Sequence, residues 1–313
     1  MKKFKKALFG ALTVAAAVLA TACSSSKSSS SSKGYTPSKS HPLTIQFVPS
    51  QAAPTLEAKA KPLEKILSKK LGVPVKISMS TDYNTVVEAM KSKKVDVGFL
   101  PPDGYVMAHK QKAADVLLQA LRYGIKQPGG KETNKLVKAY RSEILVKKGS
   151  KIKSWKDLKG KKIAVQNATS SAGYIFPIAE LKEKGLDLTK KGNANLVTVT
   201  GHDQAVLDVL NGDVDAAFTF EDARNTVLAD QPNIMKKVVP IYFTKSIPND
   251  TISVRSDMSS SFRKKLSKAF ESLRKDKKSL KIIESIYRHE GYTPSKDSDF
   301  NIVRKYDKMA ATK

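Results

Sequence analysis

The stretch VQNATSSAGYIFP, residues 165–177, decides how this chain is read. The β-prone residues Lys162-Ile163-Ala164-Val165 lead into the hydroxyl residues Thr169, Ser170 and Ser171, and the pattern beyond predicts a helix from about Ala172 to Lys184. A strand, a hydroxyl-rich turn and a helix start bring free backbone N–H groups, the positive end of the helix dipole and several hydroxyl donors together, which suits an oxyanion. The same residues also make an ordinary N-cap, since Ser and Thr cap helices generally. Local chemistry alone leaves both readings open.

Working outward, the same alternation recurs on both sides. Upstream, Leu43–Val48, Gly72–Ile77 and Val95–Leu100 read as strands, separated by helices over Ala58–Leu71, interrupted at Pro62, and Tyr83–Lys91, capped by Thr81-Asp82. A strand at Val116–Leu121 follows, then a turn-rich loop, Gln127–Gly130, to which no function attaches. Downstream, Glu143–Lys147 is extended and Ser154–Gly160 is a short capped turn. Strands at 162–165, 195–200 and 214–218 then alternate with helices at 172–184, 202–210 and 221–228. Val238–Phe243 and Thr251–Val254 read as strands, and a helix-rich tail, Ser259–Ala310, is predicted to return over the first unit.

Alternating strands and helices predict parallel α/β sheets, here in two lobes: residues 42–141 with 245–313, and residues 142–244. Crossing segments are expected near Arg141–Lys147 and Val239–Pro248, with the ligand cleft between the lobes. Ligands of such sheets bind beyond the carboxyl ends of the strands, where Gln51, Tyr83 and Tyr105 fall.

The N-terminus follows a different logic. Lys2, Lys3, Lys5 and Lys6 precede an apolar run, Ala7–Ala20, too short for a comfortable membrane span, so residues 1–22 read as a secretory signal. Cys23 is the one cysteine, which excludes an intramolecular disulfide and any multi-Cys metal site. Its place just after the apolar run resembles a bacterial lipoprotein cleavage site, where the cysteine becomes the lipid-bearing N-terminus; ordinary cleavage near Ala22 is the alternative. Residues 23–41, rich in Ser and Lys, are expected to be a tether that spaces a folded domain from a surface.

The formal charge of +27 falls to +23 when the four signal lysines are removed. Such a balance suits nucleic acid, an anionic surface or an acidic ligand. The lysines are scattered and not interleaved with aromatics, and export argues against nucleic acid, so a solvated basic surface near anionic lipid and wall polymer is expected. His41, His109, His202 and His289 lie at no metal-ligand spacing. No G-x-S-x-G elbow accompanies His202-Asp203, which argues against a Ser-His-Asp hydrolase.

A series of motifs in order resembles the periplasmic phosphonate-binding protein family, substrate-binding proteins of phosphonate/phosphite/phosphate-type ABC importers. The series comprises Thr81-Asp82-Tyr83; Val95–Leu100 running to Tyr105–Ala108; Ser154–Gly160 with Lys161–Val165; Thr169–Tyr174 with Pro177; Gly201-His202; Gly212–Ala216; and Ile247-Pro-Asn-Asp250. The resemblance covers about Leu43 to Lys265 and implies a two-lobed type II binding-protein fold that closes like a hinge on its ligand. It implies no catalysis and no cofactor. Phosphonate oxygens would be held by Thr169, Ser170 and Ser171, with Tyr83 and Tyr105 of the opposite lobe and His202 completing the cage. The turn reads T-S-S-A-G-Y instead of the commoner S-T-S-G-Y, so the donor register within Thr169–Ala172 stays open. Where relatives carry Gly-Pro-Leu/Phe-Ser this chain has Pro101-Pro102-Asp103-Gly104, which brings a carboxylate towards the cleft. Glu221, Asp222 and Asp250 are candidates to meet a ligand amine; a favourable helix N-terminus explains the first two equally well, and for Asp250 a cap or turn is the plainer explanation. The expectation is thus a lipid-anchored, extracytoplasmic, monomeric receptor that hands a phosphorus oxyanion to a permease and ATPase. Another small oxyanion, a vitamin precursor, or adhesion to anionic polymers are the alternatives.

Overall fold

A computed structural model describes residues 34–311. The signal segment 1–22, Cys23 and the tether to residue 33 lie outside the described residues. In chain order the elements are β1 (Leu43–Phe47), α1 (Ala53–Ala60), α2 (Pro62–Leu71), β2 (Val75–Met79), α3 (Tyr83–Lys91), β3 (Val97–Leu100), α4 (Pro102–Lys110), β4 (Ala114–Lys126), β5 (Lys131–Val137) and β6 (Ala139–Lys147). They continue with β7 (Lys161–Val165), α5 (Phe176–Glu183), β8 (Ala194–Thr198), α6 (His202–Asn211), β9 (Ala216–Phe220), α7 (Ile234–Lys237), β10 (Val238–Pro248), β11 (Thr251–Arg255), α8 (Ser260–Glu271), α9 (Lys277–Tyr287), β12 (Gly291–Pro294) and α10 (Asn301–Ala310).

The strands form two sheets. The larger runs β12-β4-β11-β3-β1-β2, with β5 on β4; the smaller runs β10-β6-β9-β7-β8. Each has a parallel trio, β2-β1-β3 and β8-β7-β9, flanked by antiparallel strands. The expected parallel sheets are therefore mixed, because each lobe receives an antiparallel strand from beyond its own βαβ run. On β1 the residues Leu43, Ile45 and Phe47 are buried in alternation, and Phe47 stacks on Phe99 of β3 with ring centroids 4.1 Å apart. Asp82 caps α3 by accepting from Thr85 N at 2.9 Å, a contact of a kind worth about 1 kcal/mol.

Three expectations are corrected. The segments Arg141–Lys147 and Val239–Pro248 are paired strands of the smaller sheet, β6 with β10, whose register runs out to Ala139 opposite Pro248. The chain passes between the sheets just beyond, at Lys138 and at Asn249-Asp250. Fully buried Asn249 ties the two passages together: its N–H donates to Lys138 O at 2.8 Å, and its side-chain amide donates to Ala120 O and Val137 O. Second, the tail does more than cover the first lobe. It supplies β12 to the larger sheet, and α10 then packs on α5 beside the smaller one. Third, the described end of the expected tether is packed. Tyr35 bridges to Met258, and the Arg255 guanidinium lies 3.7 Å over its ring.

Candidate functional site

Between the two sheets lies a cavity of about 50 Å³, and its walls come from the carboxyl ends of strands in both lobes. Val48, Ser50 and Gln51 follow β1, Pro101 follows β3, Ser170 and Ala172 follow β7, and Phe220 ends β9. Tyr83, Tyr140, His202 and Asp250 complete the polar wall, with Arg122 and Arg288.

The opening stretch takes the form expected of it, with a local variation. After β7, a π-helical turn spans Ser171–Ile175 and runs straight into α5. Ser170 is the N-cap: its hydroxyl accepts from Gly173 N at 3.2 Å. The N–H groups of Ser171 and Ala172 are thereby left without an intrahelical acceptor. Gly173 is required here because an added Cβ would stand 2.2 Å from Gln166 Cγ, and Gln166 N donates to Gly173 O in the same contact. Cap and anion site are not exclusive, since the cap hydroxyl satisfies one donor and leaves two.

His202 begins α6. Its N–H donates to Ser50 O of the other lobe at 3.0 Å, and its ring stands edge-on to Phe220 at 4.8 Å. Burial lowers its pKa to about 4, against the pull of Asp250, so the imidazole is neutral at pH 7. Its Nδ1 is buried with no hydrogen-bond partner. Burial raises the pKa values of Tyr83 and Tyr140 well above the ordinary phenol value, and the Asp250 charge adds to both, so both phenols stay protonated donors.

Two further hydrogen bonds cross the cleft beside the cavity. Asp103 N donates to Ser171 Oγ at 3.2 Å, and Thr169 Oγ1 lies 3.2 Å from Asn84 Oδ1 and 2.8 Å from Asn167 Oδ1. Of the expected trio, only Ser170 therefore lines the cavity by its side chain; Thr169 and Ser171 are engaged elsewhere. Tyr105 is not on the wall. Its phenol donates to Asp297 Oδ1 at 2.7 Å and its ring packs on Phe300, because the tail lies over that face of α4. Asp103 does not reach the cavity either. It is buried against Asp307 of α10, and burial, then the Asp307 charge, push its carboxyl well above the usual range.

Gln51 lines the wall, its amide donating to Ile286 O at 2.8 Å. Glu221 faces away: Oε1 accepts from Arg141 N at 3.1 Å and Oε2 from Gln127 Nε2 at 3.0 Å. Asp222 is completely enclosed behind the wall and accepts from Arg122 Nη2 through both oxygens, at 2.7 and 2.8 Å. Arg288 Nε stands 2.8 Å from the same carboxylate as an ion pair without aligned hydrogen-bond geometry. Asp250 does lie on the wall, 3.5 Å from His289 Nε2.

Sequence reasoning missed Arg122, Arg288 and Tyr140. Tyr140 reads as a packing residue, and an arginine inside the strand pattern of β4 carries no local mark. Arg288 is invisible for another reason: it is the left-handed C-cap of α9, φ 57°, and its place depends on how the tail returns.

A family model described as ABC transporter, phosphonate, periplasmic substrate-binding protein matches residues 45–300. The chain is 31% identical over 228 residues to the phosphate-import protein PhnD of Mycolicibacterium smegmatis, covering 70% of this chain and 66% of that protein. It is 24% identical over 270 residues to the phosphonates-binding periplasmic protein of Escherichia coli, covering 83% and 74%. Among solved structures, PhnD1 from Prochlorococcus marinus in complex with methylphosphonate matches with TM-score 0.72 at 18% identity, over 85% of this chain and 97% of that one. A binding-protein component of an ABC phosphonate transporter from Pseudomonas aeruginosa gives 0.69 at 19%, over 85% of each chain. These structural likenesses carry the fold, a two-lobed type II α/β binding-protein fold.

Proposed function

This chain belongs to the family of periplasmic phosphonate-binding components of ABC transporters, and we propose from that premise that it captures a phosphonate or a related phosphorus oxyanion, phosphate or phosphite, and delivers it to a permease. The family is one of solute carriers, not enzymes. The observation that carries the reading is the meeting, at one small cavity between the lobes, of the capped helix start at Ser170 with Tyr83 and Arg122 of the other lobe.

The chemistry supports a tetrahedral, singly protonated oxyanion. The N–H groups of Ser171 and Ala172, the Tyr83 and Tyr140 phenols and the Arg122 guanidinium are donors, suited to P–O oxygens. Asp250 is an acceptor on the same wall and would accept a hydrogen bond from a P–OH group. By the measure in which one water needs about 10–15 Å³, the 50 Å³ cavity matches a ligand of a few heavy atoms. Binding that bridges both lobes favours their closed arrangement over the open one, which is the form a permease would read. Around this core, the N-terminal signal and Cys23 support export and a lipid anchor, with the protein working as a monomer on the outer face of the membrane.

The test is a thermal-shift and calorimetric panel of methylphosphonate, phosphite, phosphate and sulfate, with heparin as a polyanion. Saturable binding of at least one phosphorus oxyanion is expected, adding about 2.7 kcal/mol of stability at a hundredfold excess over Kd. Sulfate, which has no proton for Asp250 at pH 7, should bind more weakly. Stabilisation by heparin alone would overturn the reading.

A further inference from the structure

Resting on that reading, we infer that the site takes small phosphorus oxyanions without a cationic substituent, and that Arg122 with Arg288 sets this choice. Of the three carboxylates that the sequence offers to a ligand amine, two are withdrawn from any ligand. Both oxygens of Glu221 are taken, by Arg141 N and Gln127 Nε2, and the side chain lies off the wall. Both oxygens of Asp222 are taken by Arg122, with Arg288 beside one of them. Asp250 is left, and it shares the wall with both guanidinium groups. An ammonium group drawn to Asp250 would lie beside two guanidinium groups that share the one buried carboxylate of Asp222, a net single positive charge whose other counter-ion, Glu132 on Arg288, is more exposed to solvent.

The arrangement that repels a cation also presents donors to an anion. Arg122 spends only Nη2 on Asp222; among the described residues Nε and Nη1 make no hydrogen bond. Its plane is held by the rings of Tyr140 and Phe220, whose centroids lie 5.8 and 5.4 Å from its central carbon. A guanidinium fixed in this way keeps its Nε and Nη1 N–H groups as single charge-assisted donors for oxygens of one phosphorus centre. Asp222, fully enclosed, serves as the positioning residue that orients it.

The test compares isosteres by isothermal titration: ethylphosphonate against aminomethylphosphonate, which differ by a methyl for an ammonium, with methylphosphonate, phosphite and phosphate in the same series. The native protein should bind ethylphosphonate at least about tenfold more tightly than aminomethylphosphonate. Arg122→Met should narrow that gap and weaken methylphosphonate. Arg288→Met, at a more exposed cap position, should narrow the gap in a protein that keeps its fold. Equal or tighter binding of aminomethylphosphonate by the native protein overturns the inference while leaving the proposed function standing. So does a gap unchanged in both variants, or rejection of both isosteres alongside tight methylphosphonate binding, since size alone would then do the selecting. If none of methylphosphonate, phosphite and phosphate binds, the proposed function falls and the inference with it.

Discussion

Tyr306 of α10 lies flat on Phe176 of α5, ring centroids 4.1 Å apart and planes 19° from parallel, and its hydroxyl donates to Glu180 Oε1 at 2.9 Å. Tyr306 is almost wholly buried. Tyr306→Ala should cost about 3–5 kcal/mol by opening an aromatic-sized cavity. Tyr306→Phe keeps the ring and removes the hydrogen bond, so about 1–3 kcal/mol is expected. Urea unfolding of the two variants measures both; equal losses would mean that the ring stack contributes nothing.

Ser170→Ala removes the cap on Gly173 and one hydroxyl from the cavity wall. A stability loss of about 1 kcal/mol is expected for the cap. Affinity for methylphosphonate or phosphate should fall by about 1.5–3 kcal/mol, the worth of a hydrogen bond to a charged group. Calorimetry on the folded variant separates the two effects, and an unchanged Kd would remove Ser170 from the site.

Burial holds the His202 pKa at about 4, below its ordinary value of 6.5. A histidine depressed in this way contributes stability that is fully present above the unfolded value and is lost as pH falls from about 6.5 through 4. The shift corresponds to about 3 kcal/mol. Glu290 acts in the opposite sense, since burial raises its carboxyl to about 7, so its contribution is lost as pH rises through that value. The difference between the native protein and His202→Gln isolates the histidine. That difference should shrink from pH 7 to pH 4, and a flat difference would refute the neutral, buried state.

Cys23→Ala should move the protein from the membrane fraction to the medium, because the proposed anchor depends on that one sulfur. Fractionation and immunoblotting read the outcome. An unchanged membrane share would exclude lipidation at Cys23.

Much of the frame was legible because its signals are local. The strand, turn and helix around Ser170 are set by β-prone residues, a capping hydroxyl and the pattern of α5, all between Lys161 and Glu183. Tyr83 was legible for the same reason, as a residue that opens a helix after a strand end, whereas His202 entered through the family resemblance. What stayed hidden depends on contacts distant in sequence. Asp222 reads as a helix-start acid until Arg122, one hundred residues earlier, closes on it. Tyr105 stands at a strand end as a ligand residue should, but Asp297 and Phe300 of the returning tail claim it. β12, four residues long with Gly at its start and Pro at its end, has no strand signature and pairs only because β4 is there to receive it.

Helix α10 ends the described chain resting on α5 of one lobe and α4 of the other. Besides the two covalent passages at Lys138 and Asn249-Asp250, the lobes are thus held by a third, non-covalent strap made from the C-terminus. Opening by a hinge must peel that strap from one of its two seats and wet the apolar surface beneath, a cost paid whether or not a ligand is bound. Shortening the chain before α10 would then loosen the resting equilibrium towards the open form, and a fluorophore near Ala310 would report the movement directly.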